Sequence, residues 1–293
     1  MMKIFYFGTP DLAVKPLEAL ASDAEVEIIG VGVMPDKKIG RQQVLTPCPV
    51  KQAAEKLKLP IFEIKNKQDL VKIFEKHELD LALVIAFGMI FPGEILDKPR
   101  LGVVNVHFSL LPKYRGASPV QSAILNGDEV SGITFQRMVA ELDAGDILLQ
   151  RPDDIREKRT SEVFEQFSCS TAALLPLFLQ LYDGECLDPH PQKEEQATHC
   201  GKFVKNDGEV DPKQDSATHI WQKFRAFDLF PGIFIATSKG NVKLTDISLE
   251  ATENSHPLSC ADDSTLYIHS AQIPGKKPTP IQEILNGHPN LFD

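Results

Sequence analysis

The sequence predicts an α/β protein in which a doubly wound, mostly parallel sheet is followed by a small carboxyl-terminal β-barrel of OB-like type. Short apolar runs alternate with helical stretches over residues 1–110, which is typical of a parallel sheet built from strand and helix units. A polar, proline-bearing stretch lies further along, at 190–196. Short β-type runs with Gly, Asn and Asp turns come after it. Because 293 residues exceed one typical domain, we expect a first domain at 1–183, a linker at 184–203 and a second domain at 204–293.

Four apolar runs predict the strands of the first domain. The run at 79–85 has no polar alternation beyond Asp80, as expected for a parallel strand that helices cover on both faces. The predicted strands are 3–7, 26–33, 79–85 and 103–108. Ligands of open α/β sheets gather at the carboxyl ends of the strands, so we expect the functional residues there.

Two connections in this domain carry specific expectations. Thr9 is a predicted helix N-cap, because its hydroxyl can accept an unpaired backbone N–H, and Pro10 suits the first helical position. Residues 35–49 combine charge, Gly and three prolines, which predicts a long surface loop before a helix at 50–57. Loops of that length are often functional.

The second domain is predicted from short elements. A helix is expected at 216–227, and β-type runs at 233–236, 242–247 and 265–268. Turn residues separate the runs, as in a small antiparallel barrel.

The composition, 42% hydrophobic and 25% charged, is that of an ordinary globular protein. No segment reaches the roughly 18 apolar residues of a membrane span, and the apolar run before Gly8 is too short for a signal peptide. The five cysteines are odd in number and lack a CxxC pair, which argues against a disulfide framework and against a zinc site. We therefore expect a cytoplasmic protein without a metal.

The net charge of −10 works against nonspecific binding of nucleic acid, because an acidic surface repels phosphate. Two short basic clusters stand out against it. One contains Lys37, Lys38 and Arg41, and the other contains Lys276 and Lys277 directly after a glycine. Solvated loops are the simpler interpretation of both clusters.

The strand at 103–108 carries the residues with the most chemical promise. Asn105 and His107 lie two positions apart, so both side chains project from one face of the strand. An Asn amide can stabilise an oxyanion and a His can transfer protons near neutral pH. A carboxylate such as Asp143 would orient the ring and stabilise its protonated form. Taken alone, Asn-x-His on a strand is more often ordinary structure.

The segment after this strand adds weight to the functional interpretation. It contains Pro112 and Gly116, and such residues leaving a buried strand build a fixed loop whose backbone N–H groups can face a ligand.

These motifs resemble the folate-dependent formyltransferase family over nearly the whole chain. Each matching segment is short, but together they follow the family's order and are therefore specific. The matching segments are 7–11, 40–41, 47–51, 86–90, 105–107, 109–116, 142–146 and 275–277.

The resemblance implies a reaction. The donor would be 10-formyltetrahydrofolate, and the acceptor would be the α-amino group of methionine on initiator tRNA. Asn105 and protonated His107 would stabilise the tetrahedral oxyanion, while Asp143 holds His107 and relays protons through water.

The resemblance also implies binding residues. Ser109, Leu110, Leu111 and Pro112 match the family's folate-binding segment. The loop of Phe87, Gly88, Met89 and Ile90, together with 139–143, would enclose the pterin. The loop at 35–49, with Arg41, and the carboxyl-terminal region, with Lys276 and Lys277, would contact tRNA. We expect no metal and a monomer.

Three departures from the family pattern affect binding details. Val139 stands where many relatives carry Asp, 42–44 is less basic than usual, and Asp211-Pro212 replaces a common Asp-Trp. They bear on tRNA contact and the pterin, not on the formyl chemistry.

Two alternatives stay open at this point. A sugar-nucleotide N-formyltransferase would share Asn105, His107, Asp143 and the segment at 109–116, but the basic segments at 40–41 and 275–277 favour tRNA. A folate-binding or tRNA-binding protein without catalysis is the other, and the intact Asn, His and Asp argue against it.

Overall fold

The computed structural model describes residues 1–40 and 42–292. The chain divides into two units. Unit 1 comprises Met1–Pro119, Val130–Asp154 and Phe164–Cys200, and unit 2 comprises Val120–Glu129, Ile155–Val163 and the chain from Gly201 onwards. The domain boundaries expected from the sequence remain predictions.

Both units combine strands with helices. The strands are β1 Met2–Gly8, β2 Val26–Val33, β3 Lys37–Ile39, β4 Val44–Thr46, β5 Ile61–Glu63, β6 Leu81–Ile85, β7 Val103–His107, β8 Arg115–Gly116, β9 Val130–Arg137, β10 Ile147–Asp154, β11 His199–Cys200, β12 Ile233–Thr237, β13 Gly240–Ser248, β14 His256–Ser259, β15 Thr265–Gln272 and β16 Thr279–Pro280. The helices are α1 Val14–Ala21, α2 Pro49–Lys56, α3 Lys67–Lys76, α4 Gly93–Leu96, α5 Pro119–Leu125, α6 Thr160–Asp183, α7 Ala217–Ala226 and α8 Ile281–Gly287.

Unit 1 is built on a seven-stranded sheet of order β10-β9-β7-β6-β1-β2-β5. The five strands from β7 to β5 pair in parallel, whereas β9 and β10 are antiparallel. The mostly parallel sheet is therefore confirmed. In the register of β7 with β9, Asn105 faces Gln136 and His107 faces Thr134.

An aromatic cluster fixes the centre of this sheet. The rings of Phe5 and Phe7 on β1 are stacked with centroids 4.8 Å apart, and Phe91 meets Phe7 edge-on at 5.0 Å. A Cβ on Gly32 of β2 would lie 2.4 Å from the Phe7 ring. Glycine is therefore needed there for β2 to pair beside this ring.

The N-cap predicted at Thr9 is wrong. Pro10 occupies the N-cap position of a short 3-10 turn at Asp11–Ala13, without a side-chain cap. The Thr9 hydroxyl instead donates to the carbonyl oxygen of Phe87 at 3.1 Å. The Thr9 hydroxyl therefore acts as a donor to the loop after β6, not as the acceptor that a helix cap requires.

The long loop expected at 35–49 contains regular structure. Strands β3 and β4 pair antiparallel as a short hairpin, and α2 begins one residue earlier than predicted, with Pro49 in its first turn. The nitrogen of Lys51 in α2 bonds Asp36 at 2.9 Å and Glu63 at 2.7 Å. These ion pairs connect the chain before the hairpin to α2 and β5.

Unit 2 contains an antiparallel sheet of five strands in the order β12-β13-β15-β14, with β16 on β15. This arrangement confirms a second, β-rich region at the carboxyl-terminal end. The predicted helix is also confirmed as α7, and the Ser216 hydroxyl caps it by accepting the N–H of His219. Within the described ranges, no helix has the length and apolarity needed to cross a membrane.

Candidate active site

Strand β7 presents the first two residues of the predicted site. His107 is the last residue of β7 and is only 6% exposed, whereas Asn105 is half-buried. Because β7 lies between β6 and β9, both residues are carried by the interior of the sheet. The backbone that positions them is therefore rigid.

The imidazole of His107 lies between two oxygen acceptors. Its Nε2 is 2.9 Å from the carbonyl oxygen of Tyr114, and its Nδ1 is 3.6 Å from Oδ2 of Asp143. A carbonyl oxygen can only accept, so Nε2 donates to Tyr114, and the other ring nitrogen faces the Asp143 carboxylate.

Asp143 is held by donors on both carboxylate oxygens. The backbone N–H of Gly116 donates to Oδ2 at 2.8 Å, and Nε2 of Gln136 donates to Oδ1 at 2.9 Å. The Asp143 backbone has a left-handed φ of 52°, so the loop that aims this carboxylate adopts an uncommon conformation for a non-glycine residue.

The side-chain amide of Asn105 differs from its neighbours, because within residues 1–40 and 42–292 it has no hydrogen-bond partner. Its cross-strand neighbour is Gln136, which also binds Asp143. The structure thus brings His107 and Asp143 into direct contact and places Asn105 beside them. Of the three, Asn105 has an N–H₂ group available to a ligand.

The loop after β7 is fixed by two neighbouring strands. Thr134 of β9 donates to the carbonyl oxygen of Ser109 at 2.6 Å and accepts from the N–H of Leu111 at 3.2 Å. Gln150 of β10 donates to the carbonyl oxygen of Leu111 at 2.8 Å. The Ser109 hydroxyl is fully buried and donates to the carbonyl oxygen of Lys113 at 2.6 Å. This loop is therefore an ordered platform.

The residues predicted to contact folate differ in exposure. Phe87 is buried and packs edge-on against Phe7 at 5.4 Å. Ile90, in contrast, is 62% exposed. The remaining ones divide as follows: Ser109 and Leu111 are buried, Met89, Leu110 and Pro112 are half-buried, and Gly88 is exposed.

The predicted tRNA-contacting residues are only partly described. Arg41 lies outside the described residues. Lys276 and Lys277 are exposed in the turn between β15 and β16, where Gly275 has a left-handed φ of 79°. Lys37 and Lys38 are exposed on β3.

Sequence reasoning missed the residues that support this site. Gln136, Thr134 and Gln150 lie on β9 and β10, and Gln192 lies in the stretch predicted as a linker. Each makes hydrogen bonds to the site loops. Gln136 and Thr134 could have been recognised only from the register of β7 with β9, which places them opposite Asn105 and His107. No sequence motif specifies that register.

Among the described residues, no group of three or more His, Cys, Asp or Glu side chains could hold a metal ion. The carboxylate of Asp143 is instead engaged by Gly116 and Gln136.

An amide donor, an imidazole and a carboxylate at the carboxyl end of β7 suit an enzyme that transfers an acyl group at a carbonyl carbon. The family described as formyl transferase matches residues 2–171, and the formyl transferase carboxyl-terminal domain matches residues 202–289. The chain belongs to the formyl transferase family.

Two relatives align with this chain over nearly its full length. The chain is 38% identical to a methionyl-tRNA formyltransferase of Campylobacter jejuni and 37% identical to one of Nitratiruptor sp.. Both alignments cover 98% of this chain and 97% of the relative.

A solved structure shares the fold at lower identity. The N-formyltransferase of Helicobacter canadensis, solved with folinic acid and dTDP-3-aminofucose, superimposes with a TM-score of 0.69 at 18% identity. The match covers 92% of this chain and 99% of that one.

Proposed function

We propose that this chain transfers a formyl group from 10-formyltetrahydrofolate to the α-amino group of methionyl initiator tRNA. The relatives named methionyl-tRNA formyltransferase support this function, because the likeness extends over 98% of the chain. The observation that carries the chemistry is the Asn105 amide, which has no partner among the described residues, beside the contact of His107 with Asp143.

The reaction exchanges one amide bond for another. The acceptor nitrogen attacks the formyl carbon, and the carbonyl oxygen becomes the oxyanion of a tetrahedral intermediate. The bond from this carbon to N10 of the folate then breaks. The acceptor nitrogen loses one proton and N10 gains one, so tetrahydrofolate and the formylated amine are the products.

Each of the three side chains has a distinct part in this proposal. Asn105 donates an N–H to the oxyanion. His107 has Tyr114 and Asp143 at its two nitrogens, so in this arrangement it stabilises the oxyanion by the positive charge of its ring. Asp143 holds the ring protonated and relays the proton from the attacking amine through water.

The folate would bind against the ordered platform at 109–112. Leu110 and Pro112 are its half-buried apolar members, and the backbone of the platform is fixed by Thr134 and Gln150. Ile90, 62% exposed, offers apolar surface on the loop after β6. Apolar walls with a few fixed polar groups are typical of a small-molecule site.

The tRNA would be bound by local basic residues, despite the net charge of −10. Lys37 and Lys38 on the hairpin, together with Arg41, form one contact, and Lys276 and Lys277 form a second. Phosphate contacts of this kind supply affinity that falls steeply with salt. Charge reversal at Arg41 should weaken tRNA binding in a filter assay while folate binding stays intact.

A sugar-nucleotide acceptor is the competing assignment. The Helicobacter canadensis enzyme has the same fold, but at 18% identity, whereas the methionyl-tRNA formyltransferases share 37 to 38% identity. The higher identity therefore favours a tRNA acceptor. Cytoplasmic location and a monomeric state stay predictions.

One experiment decides between the acceptors. The purified chain is incubated with 10-formyltetrahydrofolate and either methionyl-tRNA or a dTDP-amino sugar. We expect formylmethionyl-tRNA, detected by mass spectrometry after deacylation, and no formylated sugar. A formylated sugar with unchanged methionyl-tRNA would overturn the assignment, and the Asn105→Ala variant provides the inactive control.

A further inference from the structure

Residues 190–200, which we call the strap, lie against the site. His190 and Ile147 exchange two backbone hydrogen bonds, at 2.9 and 3.1 Å. Further along, β11 pairs in parallel with β8, and the backbone N–H of Arg115 donates to the carbonyl oxygen of Thr198 at 2.8 Å. The strap is thus bound to the chain on both sides of Asp143.

Gln192 is the strap residue that reaches the Asp143 loop. Its Nε2 donates to the carbonyl oxygens of Asp143 and Gly145, both at 2.8 Å. Its Oε1 accepts from Nε of Arg115 at 2.9 Å. The Gln192 amide therefore uses both its donor and its acceptor groups, and its orientation is fixed.

Arg115 anchors this amide. Its side chain is only 1% exposed, and its guanidinium also bonds both carboxylate oxygens of Glu194, at 3.1 and 3.0 Å. A buried guanidinium needs paired acceptors, because an unpaired buried charge is strongly unfavourable. Through these contacts with Gln192 and Glu194, Arg115 holds the strap.

The Asp143 loop is confined by β9 as well. A Cβ on Gly145 would lie 1.6 Å from the carbonyl oxygen of Arg137, so the loop passes directly over the end of β9. Gln192 restrains two carbonyls of the same loop. The loop is held between these contacts with Asp143 in the left-handed region.

We propose that Gln192 is a positioning residue, whose two hydrogen bonds to the Asp143 loop aim the Asp143 carboxylate at His107. The proposal rests on the proposed formyl transfer. Gln192 acts through Asp143 and touches no reacting atom. The carboxylate lies 3.6 Å from the His107 ring, so a small rotation of the loop main chain changes that contact directly.

The test is a double-mutant cycle of Gln192→Glu and Asp143→Asn in the full-length protein. The introduced carboxylate keeps an acceptor for Arg115 but has no N–H for the two carbonyls. We expect kcat to fall by roughly 10-fold or more with KM changed less than about threefold, as for other residues that orient a reactive group. In the Asp143→Asn background, the same substitution should cost less than about twofold, because coupled residues are not additive.

Gln196→Glu is the matched control. It introduces the same change on the strap, at an exposed side chain without a hydrogen bond among the described residues, and should leave kcat unchanged. Gln192→Met repeats the cycle without a new charge if Gln192→Glu does not fold. Equal losses in both backgrounds, or wild-type kcat in a folded variant, would refute the positioning role. An inactive wild type would instead refute the proposed function.

Discussion

The site around Asp143 and the hairpin of β3 and β4 use polar residues in opposite ways. In the site, Asp143 is only 10% exposed, and donors or His107 surround its carboxylate. On the hairpin, Lys37 and Lys38 are exposed, and Val44 and Leu45 are 56% and 62% exposed. Asp143 and His107 therefore already have hydrogen-bond partners within the protein, whereas these side chains of the hairpin are exposed.

This difference matches the two tasks in formyl transfer. Stabilising an oxyanion requires dipoles that are fixed in advance, because reorganisation would consume part of the gain. Binding a large tRNA requires charge that reaches phosphates, where side-chain adjustment is tolerated. Variants in the site should therefore change turnover, and variants of exposed basic residues should change affinity.

The largest effect is expected for Asn105→Ala and His107→Ala. Each should lower kcat on the order of 100 to 1000-fold, the usual cost of losing an oxyanion-stabilising group. Folate affinity, measured by fluorescence titration, should change little. Asn241→Ala, an exposed Asn on β13, is the control. Near wild-type turnover in either site variant would remove that residue from the mechanism.

Thr134→Val tests the hydrogen bonds that fix the platform at 109–112 without changing the reacting groups. Valine keeps the shape but leaves the buried carbonyl oxygen of Ser109 and the N–H of Leu111 unpaired. We expect the free energy of unfolding in urea to fall by about 2 kcal/mol, the cost of unsatisfied buried groups, together with weaker folate binding.

Ser131→Ala provides the contrast on the same strand. Its hydroxyl is buried without a hydrogen-bond partner among the described residues, so its removal should be neutral or stabilising. A Thr134→Val variant as stable as Ser131→Ala would show that the platform does not depend on these hydrogen bonds.

The double variant Lys276→Glu and Lys277→Glu tests whether exposed basic residues contribute to tRNA affinity. If both residues contact phosphates, tRNA affinity should fall by about 10-fold or more. The slope of log affinity against log salt concentration should also decrease by roughly two, one for each lost phosphate contact. Folate affinity should stay constant. Lys65→Glu with Lys67→Glu makes the same change in net charge at exposed positions on unit 1, and an equal loss there would indicate a general charge effect.

The smallest effect is expected at Asp80, remote from both regions. Burial alone would raise the pKa of Asp80, but the Lys3 N–H and the Arg100 guanidinium outweigh it and lower the pKa. Asp80→Asn should therefore cost about 0.5 to 1.5 kcal/mol of unfolding free energy at pH 7 without changing kcat.

The pH dependence of that cost has a defined sign. A carboxyl whose pKa is lower in the folded state stabilises the protein above its unfolded pKa of about 4, and the contribution disappears as the pH falls through the folded value. Wild type and Asp80→Asn should thus converge in acid. A difference that grows as the pH falls would contradict this ion pair.

Much of the parallel sheet could be predicted from the sequence. Strand β2 has the predicted bounds, β1 is one residue longer than predicted at each end, and β7 is one residue shorter at its carboxyl end. Continuous apolar runs specify buried parallel strands because both faces are covered. The placement of Asn105 and His107 on one face of β7 was predicted from the alternation of side chains along a strand.

The hairpin and the supporting glutamines could not be predicted in this way. Strands β3 and β4 have three residues each, too few for a periodic pattern. Gln136 and Gln192 have no motif that distinguishes them from surface glutamines. Their role depends on strand register and on loop contacts between residues about 50 positions apart, such as Gln192 with Asp143.

The strap has a consequence for the order of events on the ribosome. All strands of the large sheet are complete once Asp154 has been synthesised, and domains begin to fold from the amino-terminal end during synthesis. Until residues 190–200 emerge, Arg115 lacks both Gln192 and Glu194, and the two carbonyls of the Asp143 loop lack their donor. A nascent chain can therefore have its sheet assembled while the carboxylate beside His107 still lacks the support of the last part of unit 1.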